Sequence, residues 1–513
     1  MKYYPKNYLM RSISVLFLVF IIILTEGCAG ITDESNSSDS SDEKSQKLTV
    51  SYNEGINSLD PYGTSGGEEA TILAASQIYD TLTELDEGEF KPSVAKEWEQ
   101  PDKNTWVFKL RDDVTFHDGS SLTAKDVKAS LDKLLEGNSP LDVLWNTLDS
   151  VEATDEHTLT IKTTKPLGTM LSNLSLLYIA PADKIDDEDF FQHPIGSGPF
   201  QVESFSPEQE LKLSGYEDYW GGAPKLHELE FKNIPETQSR MTSLETGEIN
   251  AAWTIPNDQI SELQESSDIV VKSIPSYVFY FNWFNSSRKP FDDTKVRQAM
   301  WHAIDNEAIV NELFGDSGER AKAPIPSTAF GYSEQEPYDY DPELAKELLA
   351  DAGYPDGFET SMMWSEGGGP QIRELAETMI SYWEEIGVKV EPIVLERAEW
   401  IDKLNALDWD MNLQTNAVKT GDADYTLGRL YTSEANRNGY KNEKLDKILN
   451  GAKESTDLDE REELYAKANK IIWEDAVGIF PVELNQVFGV RENIKGFKTS
   501  PSASIDLSEV SIE

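Results

Sequence analysis

In residues 104–111, NTWVFKLR, the bulky side chains of Trp106, Phe108 and Leu110 alternate with Val107 and Lys109. That period of two predicts a strand with one face on a core. A turn at His117-Asp118-Gly119 follows, and Thr123-Ala-Lys-Asp126 then opens a helix toward Leu135 with the spacing of a capping box. Residues 158–163 predict a second alternating strand. Asp341-Pro342 marks another helix start, with Asp as N-cap and proline in the first turn. Leu344, Leu348 and Leu349 form its apolar stripe, Gly353 ends it, and Pro355 follows. Strand and helix patterns interleave, so the chain reads as mixed α/β. No internal repeat of solenoid period is visible.

The N-terminus departs from this pattern. Lys2, Lys6 and Arg11 surround a basic start, residues 12–24 are apolar, and no acid occurs before Glu26. This predicts a secretory signal peptide over residues 1–27. A spanning helix needs roughly 20 apolar residues, so the run is short for one. Cys28, after Gly27, is the only cysteine. It resembles the lipidated cysteine of bacterial lipoproteins, although Thr25 stands where a branched apolar residue is usual and Leu24 sits one place early. Residues 28–46, CAGITDESNSSDSSDEKSQ, lack apolar periodicity and predict a disordered tether. Ordered sequence is expected from Lys47.

Charge narrows the classes of partner. Asp and Glu number 93 against 45 Lys and Arg, a formal net charge of −48. Such a chain repels phosphate backbones, which excludes nucleic acid as a partner. The acid is spread over runs such as residues 84–89 and 186–189, which read as solvated surface. Salt screens self-repulsion of this size, so the composition implies a saline, halophilic exterior. One cysteine excludes an internal disulfide, and five scattered histidines argue against a zinc enzyme. With 513 residues, 39% hydrophobic and 10% aromatic, two to four domains with sizeable cores are expected.

No pattern of catalysis emerges. His117-Asp118 and Asp155-Glu156-His157 are the close His–carboxylate pairs, and neither accompanies a Gly-x-Ser-x-Gly elbow or a second metal-spaced histidine. Gly367-Gly-Gly369 lacks the Lys-Ser/Thr of a phosphate loop. His117 reads as a turn residue. The chain is therefore expected not to be an enzyme and to need no cofactor or resident metal.

Residues 106–130, WVFKLRDDVTFHDGSSLTAKDVKAS, resemble the signature of the extracellular solute-binding proteins, family 5, of peptide/nickel-type ABC importers. Further segments match in chain order. They are Ser58-Leu-Asp-Pro61, Pro194-Ile-Gly-Ser-Gly-Pro-Phe200, residues 216–226 (YEDYWGGAPKL), Glu245-Thr-Gly-Glu-Ile249 and residues 290–310 (PFDDTKVRQAMWHAIDNEAIV). Two helices over residues 438–449 and 461–472 complete the set. The resemblance implies a periplasmic-binding-protein-like α/β fold of three regions, with two ligand-enclosing lobes joined by a hinge. Domain I would comprise residues 47–66, 193–281 and 478–513, domain II residues 67–192, and domain III residues 282–477. It further implies a monomer that binds peptides or peptide-like solutes between domains I and III and delivers them to ABC permease subunits with their ATPases. The lipidated Cys28 would hold it to the outer face of the cytoplasmic membrane. A nickel or metal-chelate binder and a peptide-sensing receptor without transport are the alternatives.

The resemblance also suggests where ligand lies. Residues 277–284, YVFYFNWF, align with a strand whose aromatics border the cavity. Large aromatics offer apolar walls at low entropic cost, and tyrosine keeps a polar tip. Tyr277, Tyr280 and Asn282 are candidates, and strand alternation predicts that one parity alone faces the cleft. Asn53 and Glu54 form a second candidate wall, and Trp364 a third edge. In residues 409–430, Lys419 aligns with an Asp that pairs with the peptide ammonium in oligopeptide-binding members of the family. Asp422 and Asp424 lie close by as replacements. The wording Thr-Gly-Asp-Ala-Asp-Tyr is similar to that of glutathione-binding members, and Thr415 stands where nickel binders carry Arg.

Overall fold

The computed structural model describes residues 46–513 apart from 53, 87, 88, 138 and 503. The signal peptide, Cys28, most of the tether and Asn53 lie outside the described residues.

The local patterns form the expected elements. The strand Thr105–Leu110 buries Trp106, Phe108 and Leu110 and leaves the alternate residues half-covered. The helix Ala124–Glu136 follows, and Asp126 closes the box by accepting the Thr123 backbone N–H at 2.8 Å. Asp341 caps the helix Pro342–Asp351 by accepting the Leu344 N–H at 2.9 Å. Ala345 and Leu349 are its buried positions, while Leu344 and Leu348 are half-buried.

A twelve-stranded mixed sheet runs through most of the chain. Its order is Lys389–Leu395, Glu359–Ser365, Met411–Ala417, Ile269–Phe284, Val482–Arg491, Ala251–Trp253, Lys47–Tyr52, Glu228–Asn233, Glu210–Gly215 and Phe200–Ser206. The short strands Gly318–Arg320 and Gly478–Ile479 pair off this path. A separate four-stranded antiparallel sheet contains Thr105–Leu110 and Thr158–Thr163. Parallel pairs such as Lys47–Tyr52 with Glu228–Asn233 need crossover segments, which the interleaved helices supply.

Two strands pass from one hydrophobic core to another. Residues from Tyr277 to Phe284 and from Val482 to Leu484 pack in a core with Met300, Trp301 and Trp383. Phe488 and Val490 pack in a second core with Leu48, Val50 and Phe108. Between these halves the pairing of Ile269–Phe284 with Val482–Arg491 shifts register, between Pro275 and Phe279. The Ser276 hydroxyl bridges the irregularity by donating to the Leu484 carbonyl at 2.6 Å and accepting the Val278 N–H at 3.0 Å. A bulge bends the strand that carries it and increases its twist, so the pair changes direction at this crossing between the cores.

Arg297, in the residue 290–310 motif, is 3% exposed. Its guanidinium donates to the carbonyls of Phe291 at 2.8 Å and Asp475 at 2.6 Å. It thereby ties the helix Thr294–His302 to the end of Leu458–Glu474 by satisfying carbonyls that helix ends leave open. At the described start of the chain, Gln46 exchanges two 3.0 Å hydrogen bonds with the backbone of Ile512, which pins the entry of the chain beside its C-terminus.

Candidate functional site

A narrow cleft, partly open to solvent, lies where elements of the two cores meet. Glu69 and Ile72 line it from the helix Glu69–Ile78, whose Ala70, Leu73 and Ala74 belong to the second core. Tyr277, Val278 and Ala417 line it from the strands of the first core, Lys419 from the turn after Met411–Ala417, and Pro501 and Ser502 close one side. Tyr277 and Val278 have opposite parity, so the expected alternation does not hold at the mouth. The register shift at Pro275–Phe279 breaks the pleat there and lets neighbouring residues reach one space.

Lys419 reaches across the cleft and donates from Nζ to the Gly67 carbonyl. A Cβ at Gly67 would sit 2.7 Å from Pro140 Cγ, so packing against Pro140 is what calls for glycine here, while Lys419 Nζ at 3.5 Å would remain in ordinary contact. Burial pulls the Lys419 ammonium below its usual value. Glu69 and Glu68 act to raise it, and Arg429 and Arg397 to lower it. Tyr277 is 5% exposed, and burial pushes its phenol up to about 12, so it stays a neutral donor at the cleft wall. Gly421, at φ 68°, leaves room beside the Tyr277 hydroxyl, where a Cβ would come within 2.9 Å.

The other sequence-derived candidates occupy different places. Glu54 sits at the rim of a small neighbouring pocket with Tyr52, Ile56 and Phe231. Its carboxyl is raised by partial desolvation, then by Glu69 and Glu68, while Arg397 acts to lower it. Tyr280 is fully buried and donates its hydroxyl to the Pro370 carbonyl at 2.7 Å. Asn282 pairs with Leu413 across the sheet, and Trp364 follows Met363, which pairs with Asn412 on the parallel strand. Both are in the core, Asn282 at 0% and Trp364 at 1% exposure. Neither polar atom of the Asn282 side chain has a hydrogen-bond partner.

Asp422 is bound by Arg461, whose Nη2 lies 2.9 and 2.7 Å from its two carboxylate oxygens. Its Oδ1 also accepts the Asp424 N–H at 2.9 Å. Asp424 lies 3.9 Å from Lys453 Nζ, and burial raises its carboxyl. The structure thus brings Tyr277 and Lys419 together in the cleft, with Glu54 at an adjoining rim, and sets Tyr280, Asn282, Trp364, Asp422 and Asp424 in packed surroundings. Glu69, Ile72, Ala417, Pro501 and Ser502 were not anticipated. Glu69 alone left a trace, as an acid opening a helix after Gly66-Gly67.

Among the described residues no group of three or more His, Cys, Asp or Glu is placed to hold a metal ion. None of their helices is long and apolar enough to cross a membrane.

Known proteins match this chain in sequence and in fold. The family described as bacterial extracellular solute-binding proteins, family 5 Middle, matches residues 89–438. Glutathione-binding protein GsiB of Pectobacterium atrosepticum is 28% identical, over 89% of this chain and 92% of its own length. Heme-binding protein A of Haemophilus influenzae is 29% identical, over 84% and 87%. Among solved structures, the periplasmic binding protein DppA of Helicobacter pylori, associated with an ABC transporter and in complex with the peptide STSA, superposes with a TM-score of 0.78. It is 27% identical, over 91% of this chain and 98% of that one.

Proposed function

The chain belongs to the bacterial extracellular solute-binding proteins, family 5, a family of binding proteins rather than enzymes, and on that footing we propose that it is the substrate-binding component of an ABC importer for peptides or peptide-like solutes. Residues 47–66, 193–281 and 478–513 serve as one lobe, residues 67–192 as a region packed on it, and residues 282–477 as the lobe that closes over the ligand. The observation that carries this reading is the cleft between the two cores, walled by Tyr277 and bridged by Lys419. Rotation about the bulged strand crossing opens and closes it, a hinge motion around a ligand. The signal peptide directs export, and the lipidated Cys28 holds the protein on the outer face of the cytoplasmic membrane, where it hands its cargo to the permease.

Native mass spectrometry of the purified mature protein should show a co-purified solute of peptide-like mass, and titration with dipeptides should confirm affinity. A protein that binds no member of a dipeptide, glutathione and pentapeptide set would end this reading. Lys419 favours a carboxylate-bearing solute, because a charge-assisted hydrogen bond is roughly twice as strong as a neutral one. Lys419→Asp should weaken such binding by about 2–5 kcal/mol, the cost of truncating a desolvated charge contact. Unchanged affinity on calorimetry would remove Lys419 from the site. For the anchor, Cys28→Ala should leave the protein either released from membranes or uncleaved. Normal lipid-extractable anchoring of that variant would refute lipidation.

A further inference from the structure

A loop of the second core docks on a helix end of the first. Leu167 and Met170 belong to the second core, and Gly168 between them donates its N–H to the Lys453 carbonyl at 2.8 Å. Lys453 lies in the last turn of the helix Glu443–Glu454, which buries Leu445, Leu449 and Ala452 in the first core. Its carbonyl is one that a helix end leaves open. A Cβ at Gly168 would sit 1.7 Å from the Ser455 carbonyl oxygen and 3.2 Å from Arg461 Nε. The atoms nearest that Cβ thus all lie on elements of the facing core. The φ of Gly168 is not positive, so the close approach, and not the backbone conformation, calls for glycine here.

Two further contacts cross between the same cores. Lys419 Nζ donates to the Gly67 carbonyl, just ahead of the helix Glu69–Ile78. Leu85 sits in the hairpin strand Thr83–Asp86, which starts beside Leu82 of the second core. Its side chain packs on the first core, where a Cβ at Gly421 would meet Leu85 Cδ2 at 2.2 Å. Arg461 ties the receiving points into one body. Its Nε donates to the Ala452 carbonyl at 3.1 Å, and its Nη2 holds Asp422 in the turn that carries Lys419 and Gly421. All three contacts join protein atoms and need no solute to form. We propose that they act as a latch, so that the lobes rest closed on their own contacts and solute enters only when the Gly168 loop lifts off the helix end. This rests on the lobe movement set out above and adds a resting position to it. A latched resting form makes the open conformation the minor one and so gates association.

The test is the distance between spin labels on Lys125→Cys and Lys447→Cys, read by double electron–electron resonance. The mature protein carries Cys28→Ser and is refolded from urea to strip solute. Both lysines are exposed, on the helices Ala124–Glu136 and Glu443–Glu454, which bury apolar residues in the second and first core respectively. This background protein should show one short distance. Gly168→Ala, which the loop's own backbone accepts, should move the ratio of short to longer distances by about tenfold or more toward the longer. Leu85→Ala removes a contact without creating a clash and should move the ratio the same way by a smaller factor. It decides the matter if Gly168→Ala lowers the urea midpoint. A long or broad distance in the background protein would overturn the latch, and so would variants whose distances match the background. The distance is read without solute, so a failure of peptide binding leaves the latch standing, and a failure of the latch leaves peptide binding standing.

Discussion

Arg461→Ala should destabilise the folded protein by about 3–5 kcal/mol, the usual cost of removing one partner from a buried ion pair. Arg461 and Asp422 are each 1% exposed at the side chain, so the substitution leaves a buried carboxylate without its partner. Besides its two contacts to Asp422, the guanidinium donates to the Ala452 carbonyl at 3.1 Å and the Tyr465 hydroxyl at 3.1 Å. It also lies 5.1 Å from the centre of the Phe330 ring. The substitution therefore leaves several buried acceptors unpaired at once. A double variant, Arg461→Met with Asp422→Leu, removes both charges and should recover most of the loss, because apolar pairs of similar volume replace buried ion pairs at little cost. Denaturant midpoints of the three proteins decide this. An Arg461→Ala midpoint equal to wild type would show that the pair contributes nothing. Because Asp422 opens the turn that follows Lys419, the single variant should also weaken ligand binding in proportion to its local unfolding.

The Arg461–Asp422 pair shows what a local pattern leaves out. Asp422 and Asp424 look alike in the sequence, two acids in Thr-Gly-Asp-Ala-Asp-Tyr near a candidate lysine. What separates them is an arginine 39 residues away in the helix Leu458–Glu474. The same limit applies to the cleft. Lys419 was legible from its place in an aligned segment, but its contact, the Gly67 carbonyl, lies 352 residues earlier. Pro501 and Ser502 enter from the C-terminal segment with no periodicity to announce them.

Where a rule is local the reading held. Trp106, Phe108 and Leu110 alternate because the strand Thr105–Leu110 has one buried face. Thr123 and Asp126 close a capping box because the first turn of a helix leaves N–H groups open. The stretch Tyr277–Phe284 fails the alternation rule for a physical reason. From Phe279 onward its residues are buried whichever face they point to, because the strand is central in the sheet and packed on both sides. A strand of that kind carries no sequence mark of which face borders a ligand.

Two titrating groups beside the Gly-rich segment at Gly196–Gly198 should nearly cancel in the acid response of the protein. His117 donates from Nε2 to the Gly198 carbonyl at 3.0 Å and accepts the Gly196 N–H on Nδ1 at 3.2 Å. That arrangement suits the neutral ring. Burial pulls the imidazole down to about 4, with Gly198 and Asp118 pulling the other way. Asp80 accepts the Tyr219 hydroxyl at 3.1 Å and the Trp220 indole N–H at 3.0 Å, and Arg111 lies 4.4 Å above that Trp220 ring. Burial lifts the Asp80 carboxyl to about 6 against those hydrogen bonds, and Glu84 raises it further. For His117 the unfolded chain holds the extra proton between about pH 6.5 and 4, so its contribution is present above that window and lost as pH falls. For Asp80 the folded chain holds the extra proton between about pH 3.8 and 6, so its contribution is present in acid and lost as pH rises. Each is worth about 3 kcal/mol over its window, with opposite sign. His117→Gln should therefore gain on wild type by about that amount between pH 6.5 and 4. Asp80→Asn should lose a similar amount to wild type between about pH 6 and 3.8. Urea unfolding of the three proteins at half-unit steps across this range is the measurement. Variant curves that run parallel to wild type would mean that neither group titrates differently in the folded and unfolded chains.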